Sequence, residues 1–242
     1  MPHDVSLAQA VLDLSSRPAE SDPRDMLHDL TTYAVRLLGV RSAGVTVLDA
    51  AGRLDHLTAS DDVCARLEQD QHHLGEGPGV DSTRTAGTLH PRALLPHGPA
   101  PERWPRFAPR AAAAGYTSAA AVPLRTGKRI RGALNLLHAG PGALQPAGLQ
   151  RAQMLADAAA IGLHYHHSLR ARDETICQLE SALHSRIVIE QAKGVLACRL
   201  GTDMEDAFHR LRAHARSRQH KLTDLARHVI EGDIPAGLDT TR

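Results

Sequence analysis

RIVIEQAKGVLACRLGTDMEDAFHRLRAHARSRQHKLTDLARHVIEG, residues 186–232, is the stretch from which this chain is best read. Its periodicity predicts three short helices, each with a narrow apolar stripe and a basic opposite side. The first sets Ile189, Ala192, Leu196 and Leu200 at helical spacing and leaves Arg186, Glu190, Lys193 and Ala197 on another face. Gly201 stops it, and Thr202-Asp203-Met204-Glu205 has the form of a capping box opening the second helix. That helix is expected to bury Met204, Phe208, Leu211 and Ala215 and to point His209, Arg212 and Arg216 elsewhere. The third places Leu222, Leu225, Ala226 and Val229 on one side, and Gly232 and Pro235 close it.

Charge is concentrated in the same stretch. It holds nine Lys and Arg against six Asp and Glu, a net +3, whereas the whole chain is formally +1. A basic patch in an otherwise balanced protein is the electrostatic pattern of a nucleic-acid contact surface. Composition alone favours ordinary solvated helix faces, so the order of the residues has to decide. Gly194 interrupts a good helix former at a cost of about 1 kcal/mol relative to alanine. Close approach of another backbone would explain it, either the third helix or a nucleic-acid loop. Cys198, beside the apolar stripe, reads as a small core residue.

The order of residues resembles the ANTAR domain, a three-helix RNA-binding module of bacterial transcription antitermination regulators. Arg186, Ile189, Glu190, Ala192, Lys193, Gly194, Val195 and Leu196 carry the resemblance, then Ala207, Phe208, Leu211, Arg212 and Ala215, then Leu222 and Ala226. The chain departs from the family at Ala197, where methionine is usual, and at Ala213 and His214, where a second basic residue often follows. The resemblance implies selective binding to paired RNA hairpins in transcript leader regions, which frees a downstream gene from termination. Arg186, Lys193, Gly194, Arg212, Arg216 and Lys221 are then the RNA-binding candidates, with Glu190 orienting Arg186 or Lys193.

Length and composition bound the rest. A chain of 242 residues accommodates one sizeable domain and a small one. Only 2% of the residues are aromatic, which argues against sheet surfaces that stack successive bases. Cys64, Cys177 and Cys198 form neither a disulfide framework nor a zinc spacing and suit a reducing compartment. MPHDVSLAQAVLDLSS lacks the basic start and apolar centre of a signal peptide, and no apolar run reaches membrane-spanning length. A soluble cytoplasmic protein is expected, without a membrane partner. Among the sixteen histidines, His164, His166 and His167 cluster, as do His72 and His73, but no acid or cysteine completes a ligand set, so no metal site is expected.

Residues 25–163 mix helix and strand signals. An amphipathic helix carrying Met26, Leu27, Leu30, Ala34, Leu37 and Leu38 precedes a strand from Ala43 to Leu48, a turn at Asp49-Ala50-Ala51-Gly52 and a pairing strand from Leu54 to Ser60. A polar helix from Val63 to His73 leads to the loop Gly75-Glu76-Gly77-Pro78-Gly79 and a short helix at Val80. Strand signals return at Thr88 to Leu95, Thr117 to Leu124 and Ile130 to His138, the last two joined as a hairpin through Arg125-Thr126-Gly127-Lys128-Arg129. Short turns between neighbouring strands predict an α+β fold with a central antiparallel sheet. The glycine-rich loop lacks the lysine and spacing of a phosphate cradle and reads as a tight turn entering a helix. Asn135 reads as a hydrogen-bonded structural residue.

GEGPGVDSTRTAG (75–87), WPRFAPRAAAAGYTSAAAVPLR (104–125) and GALNLLHAGPGAL (132–144) make this region similar to a GAF domain. They look most like the sensor regions of actinobacterial GAF–ANTAR regulators, which often carry cysteine where this chain has Gly79. The resemblance implies a small-molecule pocket between the sheet and the loops at 75–95 and 104–116, with Trp104 and Phe107 as its aromatic wall. It names no ligand and no cofactor.

No glycine or proline interrupts Tyr165 to Lys193, which predicts one continuous helix joining the two regions. Leu155, Gly162, Leu169, Ile176, Leu183 and Glu190 recur every seven residues, with Ala158, Tyr165, Arg172, Leu179 and Arg186 as companions. This imperfect coiled-coil seam, strongest at Leu169, Ile176, Leu179 and Leu183, predicts a parallel homodimer. The expected organisation is an N-terminal helical segment (1–24), the sensor (25–163), a linker helix (164–185), the three-helix module (186–232) and a tail (233–242). The reading is a signal-responsive RNA-binding antiterminator and not an enzyme. The alternatives are a DNA-binding regulator with a three-helix output, or a GAF-fold redox enzyme or sensor. Cys64 has no resolving partner in the sensor, and the acidic pair of a phosphoacceptor receiver is missing.

Overall fold

Strand alternation decides what each face of the N-terminal sheet carries. The computed structural model describes residues 6–18, 21–95, 99–127, 129–140 and 144–238. Residues 1–5 of the N-terminal segment, Lys128 of the hairpin turn, residues 141–143 of the third GAF-like stretch and residues 239–242 of the tail lie outside them. The chain divides into two compact units, Met1–Leu169 and Arg170–Arg242.

In the first unit, helices α1 (Leu7–Ser15) and α2 (Pro23–Leu38) precede strands β1 (Ser42–Leu48) and β2 (Leu54–Ala59). Asp49 builds the turn between the strands, its Oδ1 accepting from the N–H groups of Ala51 and Arg53 at 2.8 and 2.9 Å. Helices α3 (Asp62–Leu74) and α4 (Pro78–Thr85), strand β3 (Leu89–Ala93) and helices α5 (Pro99–Arg103) and α6 (Phe107–Ala113) follow. Strands β4 (Ser118–Thr126) and β5 (Arg129–His138) close the antiparallel sheet in the order β2-β1-β5-β4-β3. β3 is shorter than its sequence signal, and its register shifts between Leu89 and Arg92. Pro91 lies in that interval and has no N–H for the ladder, which an edge strand tolerates.

Val45, Val47, Ala120, Val122, Leu124, Leu134 and Leu136 face α1, α2 and the helix that follows the sheet. Ala119, Ala121 and Leu137 face the other way, into a cluster with Cys64, Leu67, Trp104, Phe107 and Tyr116. Thr46 and Asn135 share the side chain period of that second face, and both bond Glu68 of α3.

Helix α7 (Pro146–Leu200) runs 55 residues, longer at both ends than the uninterrupted stretch predicted. Its start belongs to the first unit and its end to the second. Gly201 ends it at φ 65°, and helices α8 (Met204–Ser217) and α9 (Leu222–Glu231) complete the second unit. Val188, Ala192, Leu196, Ala207, Leu211, Ala215, Leu225, Ala226 and Val229 form its core. Four of these nine are alanines, which lets short helices approach closely enough to exclude water.

Several local expectations are corrected. Met204 is 41% exposed and Phe208 only half-buried, because the buried stripe of α8 runs through Ala207, Leu211 and Ala215. Cys198 is exposed, lying off the Ala192–Leu196 line of α7. The cap of α8 falls one residue later than drawn: Asp203 accepts from the Asp206 N–H at 2.7 Å, and Thr202 Oγ1 donates to Asp206 Oδ2 at 2.8 Å. Gly232 closes α9 in the left-handed region as expected.

Candidate nucleic-acid interface and buried polar cavity

In the second unit, the cations separate into paired and free. Arg210 bonds Asp206 at 2.8 Å and Arg227 bonds Asp224 at 3.0 Å, pairs within single helices. Arg186, Arg199, Arg212, Arg216 and Lys221 are exposed and have no ion-pair partner among the described residues. Lys193 is different. Its Nζ donates to both oxygens of Glu190 at 2.9 Å and lies 5.3 Å from the centre of the Phe208 ring, leaving its side chain 16% exposed. Glu190 therefore orients Lys193, as the three-residue spacing allowed, and makes no ion pair with Arg186 among the described residues.

Lys193 joins the two helices into one surface. Arg212 lies one turn along α8 from Phe208, and Met204 one turn the other way, so a cation, an aromatic ring and an apolar chain lie beside the free Arg212 guanidinium. Sequence reasoning missed Phe208 and Met204 here because it buried them together with Leu211 and Ala215, of which only the last two lie in the core. The four-residue line Ala207, Leu211, Ala215 was the signal that could have found it. Gly194 is half-buried, and a Cβ added to it would meet nothing within 4 Å. No neighbouring helix therefore requires glycine at that position.

In the first unit a carboxylate sits where an apolar residue would be expected. Cys64, Leu67, Glu68 and Gln71 form the buried line of α3. Glu68 is 1% exposed and accepts from Asn135 Nδ2 at 2.6 Å, Thr46 Oγ1 at 3.1 Å and Gln71 Nε2 at 3.1 Å. Burial pushes its carboxyl up to about 7, against the opposite pull of those hydrogen bonds. Asn135 is fully buried and its Oδ1 has no partner among the described residues. Gly79 donates its N–H to Gln71 Oε1 at 2.9 Å, and a Cβ on it would stand 2.5 Å from Asn135 Nδ2. A side chain at Gly79 would therefore displace Asn135.

These groups line a cavity of about 170 Å³, with Leu48 and Val80 supplying apolar wall. Glu68, Gln71 and Thr46 were not foreseen as lining groups; a glutamate in step with Cys64 and Gln71 was the available signal. Trp104 and Phe107, expected as the pocket wall, lie instead in the second core cluster, ring edge to face at 6.1 Å between centres. Trp104 Nε1 donates to Asp81 Oδ2 at 2.9 Å, and Asp81 also pairs with Arg84 and Arg103. The aromatic pair thus fastens α4 to α5 and α6.

The expected seam also divides. Leu155, Ala158 and Gly162 are buried in the first unit, whereas Ile176, Leu179 and Leu183 are 51%, 66% and 61% exposed and Leu169 is half-buried. Among the described residues no group of three or more His, Cys, Asp and Glu is placed to hold a metal ion. No helix of the described residues is long and apolar enough to cross a membrane.

The GAF domain model matches residues 20–164. The chain is a GAF-domain protein. Its C-terminal part, residues 177–230, matches the ANTAR domain model. A sensor domain of signal transduction thus precedes a module of an RNA-binding antiterminator family, and the protein is a GAF and ANTAR domain-containing regulator. No curated protein matches the sequence. The GAF domain of a phosphoenolpyruvate-protein phosphotransferase from Coxiella burnetii is 14% identical, with a TM-score of 0.50 over 68% of this chain and 94% of that one. A bacteriophytochrome from the photosynthetic bacterium R. palustris is 10% identical, with a TM-score of 0.51 over 77% of this chain and 41% of that one. At such identities the likeness concerns the GAF fold alone.

Proposed function

We propose that the protein binds paired hairpins in transcript leader regions through its ANTAR domain and thereby prevents transcription termination, in response to a small molecule sensed by its GAF domain. The free cations Arg186, Arg212, Arg216 and Lys221, on the module where Lys193 covers Phe208, are the observation that carries this reading. Guanidinium and ammonium groups hold phosphates, while loop bases freed from a duplex can be read at their edges or stacked on an aromatic ring. Gly194, open where a Cβ would stand, gives an RNA backbone room to approach α7.

The protein acts as a parallel homodimer in this reading, closed by Leu169, Ile176, Leu179 and Leu183. Three exposed apolar side chains at three- and four-residue spacing support it, since water is a poor neighbour for such a stripe. Its role is regulatory and not catalytic. Cys64, the thiol of the GAF domain, is buried, and burial pushes its pKa far upward, away from the thiolate that redox chemistry needs. The test is a gel-shift titration of hairpins whose loops carry adenine and guanine at fixed places, beside hairpins with those bases exchanged. Tighter binding of the first set supports the reading. Equal affinity for both sets would leave only a basic surface and sink it.

A further inference from the structure

The cavity beside Glu68 carries information about what the GAF domain senses. Its polar wall holds a buried carboxylate and, beside it, a buried amide oxygen without a partner among the described residues. The Thr46 hydroxyl and one amide N–H each of Asn135 and Gln71 are spent on Glu68, and Thr83 Oγ1 donates to the carbonyls of Gly79 and Val80. What stays open is the Asn135 Oδ1, buried without a partner, and the remaining lone pairs of the Glu68 carboxylate. A buried acceptor left empty costs free energy that a bound donor recovers. Among the described residues no lysine or arginine lines the cavity, and its ionisable lining side chains are the Glu68 carboxylate and the His72 imidazole. Its volume, about 170 Å³, is close to that of engineered cavities that take benzene, so it admits an occupant of up to about eight non-hydrogen atoms.

We infer that this cavity binds a small organic cation with N–H donors, of the alkylammonium, amidinium or guanidinium class, between Glu68 and the Asn135 Oδ1. The inference rests on the reading of the GAF domain as a small-molecule sensor. Charge decides between a cation and a neutral amide of the same shape. Three donors already turned toward Glu68 favour its ionised form, and a cation completes the pairing that no side chain supplies. Cys64 and His72, on the same helix, are the titratable groups nearby; β1 and β5 present Thr46 and Asn135, and α4 presents Gly79, Val80 and Thr83. Binding therefore drives a proton off Glu68 whenever the solution lies below its pKa, so affinity rises with pH toward neutrality.

Calorimetric titration of the full chain with methylammonium, acetamidinium and methylguanidinium chlorides, and with neutral methylurea, tests this. At least one cation is expected to bind saturably, and methylurea roughly tenfold or more weakly. Repeating the titration at pH 6 in buffers of different ionisation enthalpy is expected to show proton release to the buffer. Glu68→Gln is expected to weaken the cation by about tenfold or more while the melting transition stays cooperative. Val80→Phe, which fills the cavity from its apolar wall, should abolish binding independently. No saturable cation, equal binding of methylurea, or unchanged binding in both variants would overturn the proposal. No RNA enters these titrations, so their failure leaves hairpin binding standing, and failure of the hairpin gel shift leaves the cavity untouched.

Discussion

Single residues in both domains are set against their local preferences, and each has a measurable consequence. Gly194 weakens α7 with no contact among the described residues to require it. Gly194→Ala is expected to stabilise the ANTAR domain by about 0.5–1 kcal/mol, read as a raised midpoint of thermal unfolding. The same variant is expected to lose hairpin affinity, because a methyl group then stands where the RNA backbone approaches. A stabilised variant with unchanged affinity would remove Gly194 from the interface. Glu68 is the counterpart in the GAF domain, its carboxyl raised from the ordinary 4.5 to about 7 by burial. Between those values the folded chain holds a proton that the unfolded chain has released. Stability is therefore expected to fall as pH rises from about 4.5 to about 7, by roughly 3 kcal/mol, and to level off above. Urea unfolding across that window measures it. Glu68→Gln should flatten this part of the profile; a slope identical to wild type would place its origin elsewhere.

At the scale of elements, α7 is where sequence and packing part company. The seven-residue recurrence from Leu155 to Glu190 looks uniform in the sequence, yet Leu155 and Ala158 are consumed by the GAF core while Ile176, Leu179 and Leu183 face solvent. Heptad spacing reports which positions share a face and not what covers that face. Placing glutamate at Ile176 and Leu183 together is expected to convert a dimer into a monomer, measured as a halved mass by light scattering. An unchanged mass would reject the seam. The antiparallel hairpins were legible because alternation, the Asp49 turn and the Gly127 turn agree locally. The α8 stripe was read correctly at Leu211 and Ala215 and misread at its start, where Phe208 outweighs Ala207 in hydrophobicity although close helix packing prefers the smaller side chain at the buried position. Glu68, Thr46 and Asn135 come from α3, β1 and β5, and only the register of the sheet brings them together. No spacing within the chain encodes that meeting.

For the whole molecule, sensing and output share α7, which begins in one unit and ends in the other. A bound cation can bias RNA binding only if it prefers one of two states of the chain, and the coupling must then be reciprocal. The output itself is resolved by its salt dependence. Arg216 is exposed and free of any ion pair among the described residues, so it is a phosphate contact in the proposed complex. Arg216→Ala is expected to weaken every hairpin by a similar factor and to reduce the slope of log K against log salt by about one. Phe208 carries no charge and presents a half-buried aromatic ring beside Lys193. Phe208→Leu should leave the salt slope unchanged and erode the preference for the correct loop, with about 1–3 kcal/mol at stake if a base stacks there. Lys193 falls between them: held by Glu190 at 2.9 Å, it must give up that pair to reach a phosphate. Lys193→Ala is therefore expected to change the slope by less than Arg216→Ala does, and to erode loop selectivity through the loss of support for Phe208. Gel shifts of correct and loop-exchanged hairpins at two salt concentrations separate these outcomes. A full unit of slope lost at Lys193, with selectivity intact, would make it a plain phosphate contact and assign the ring no part in reading the loop.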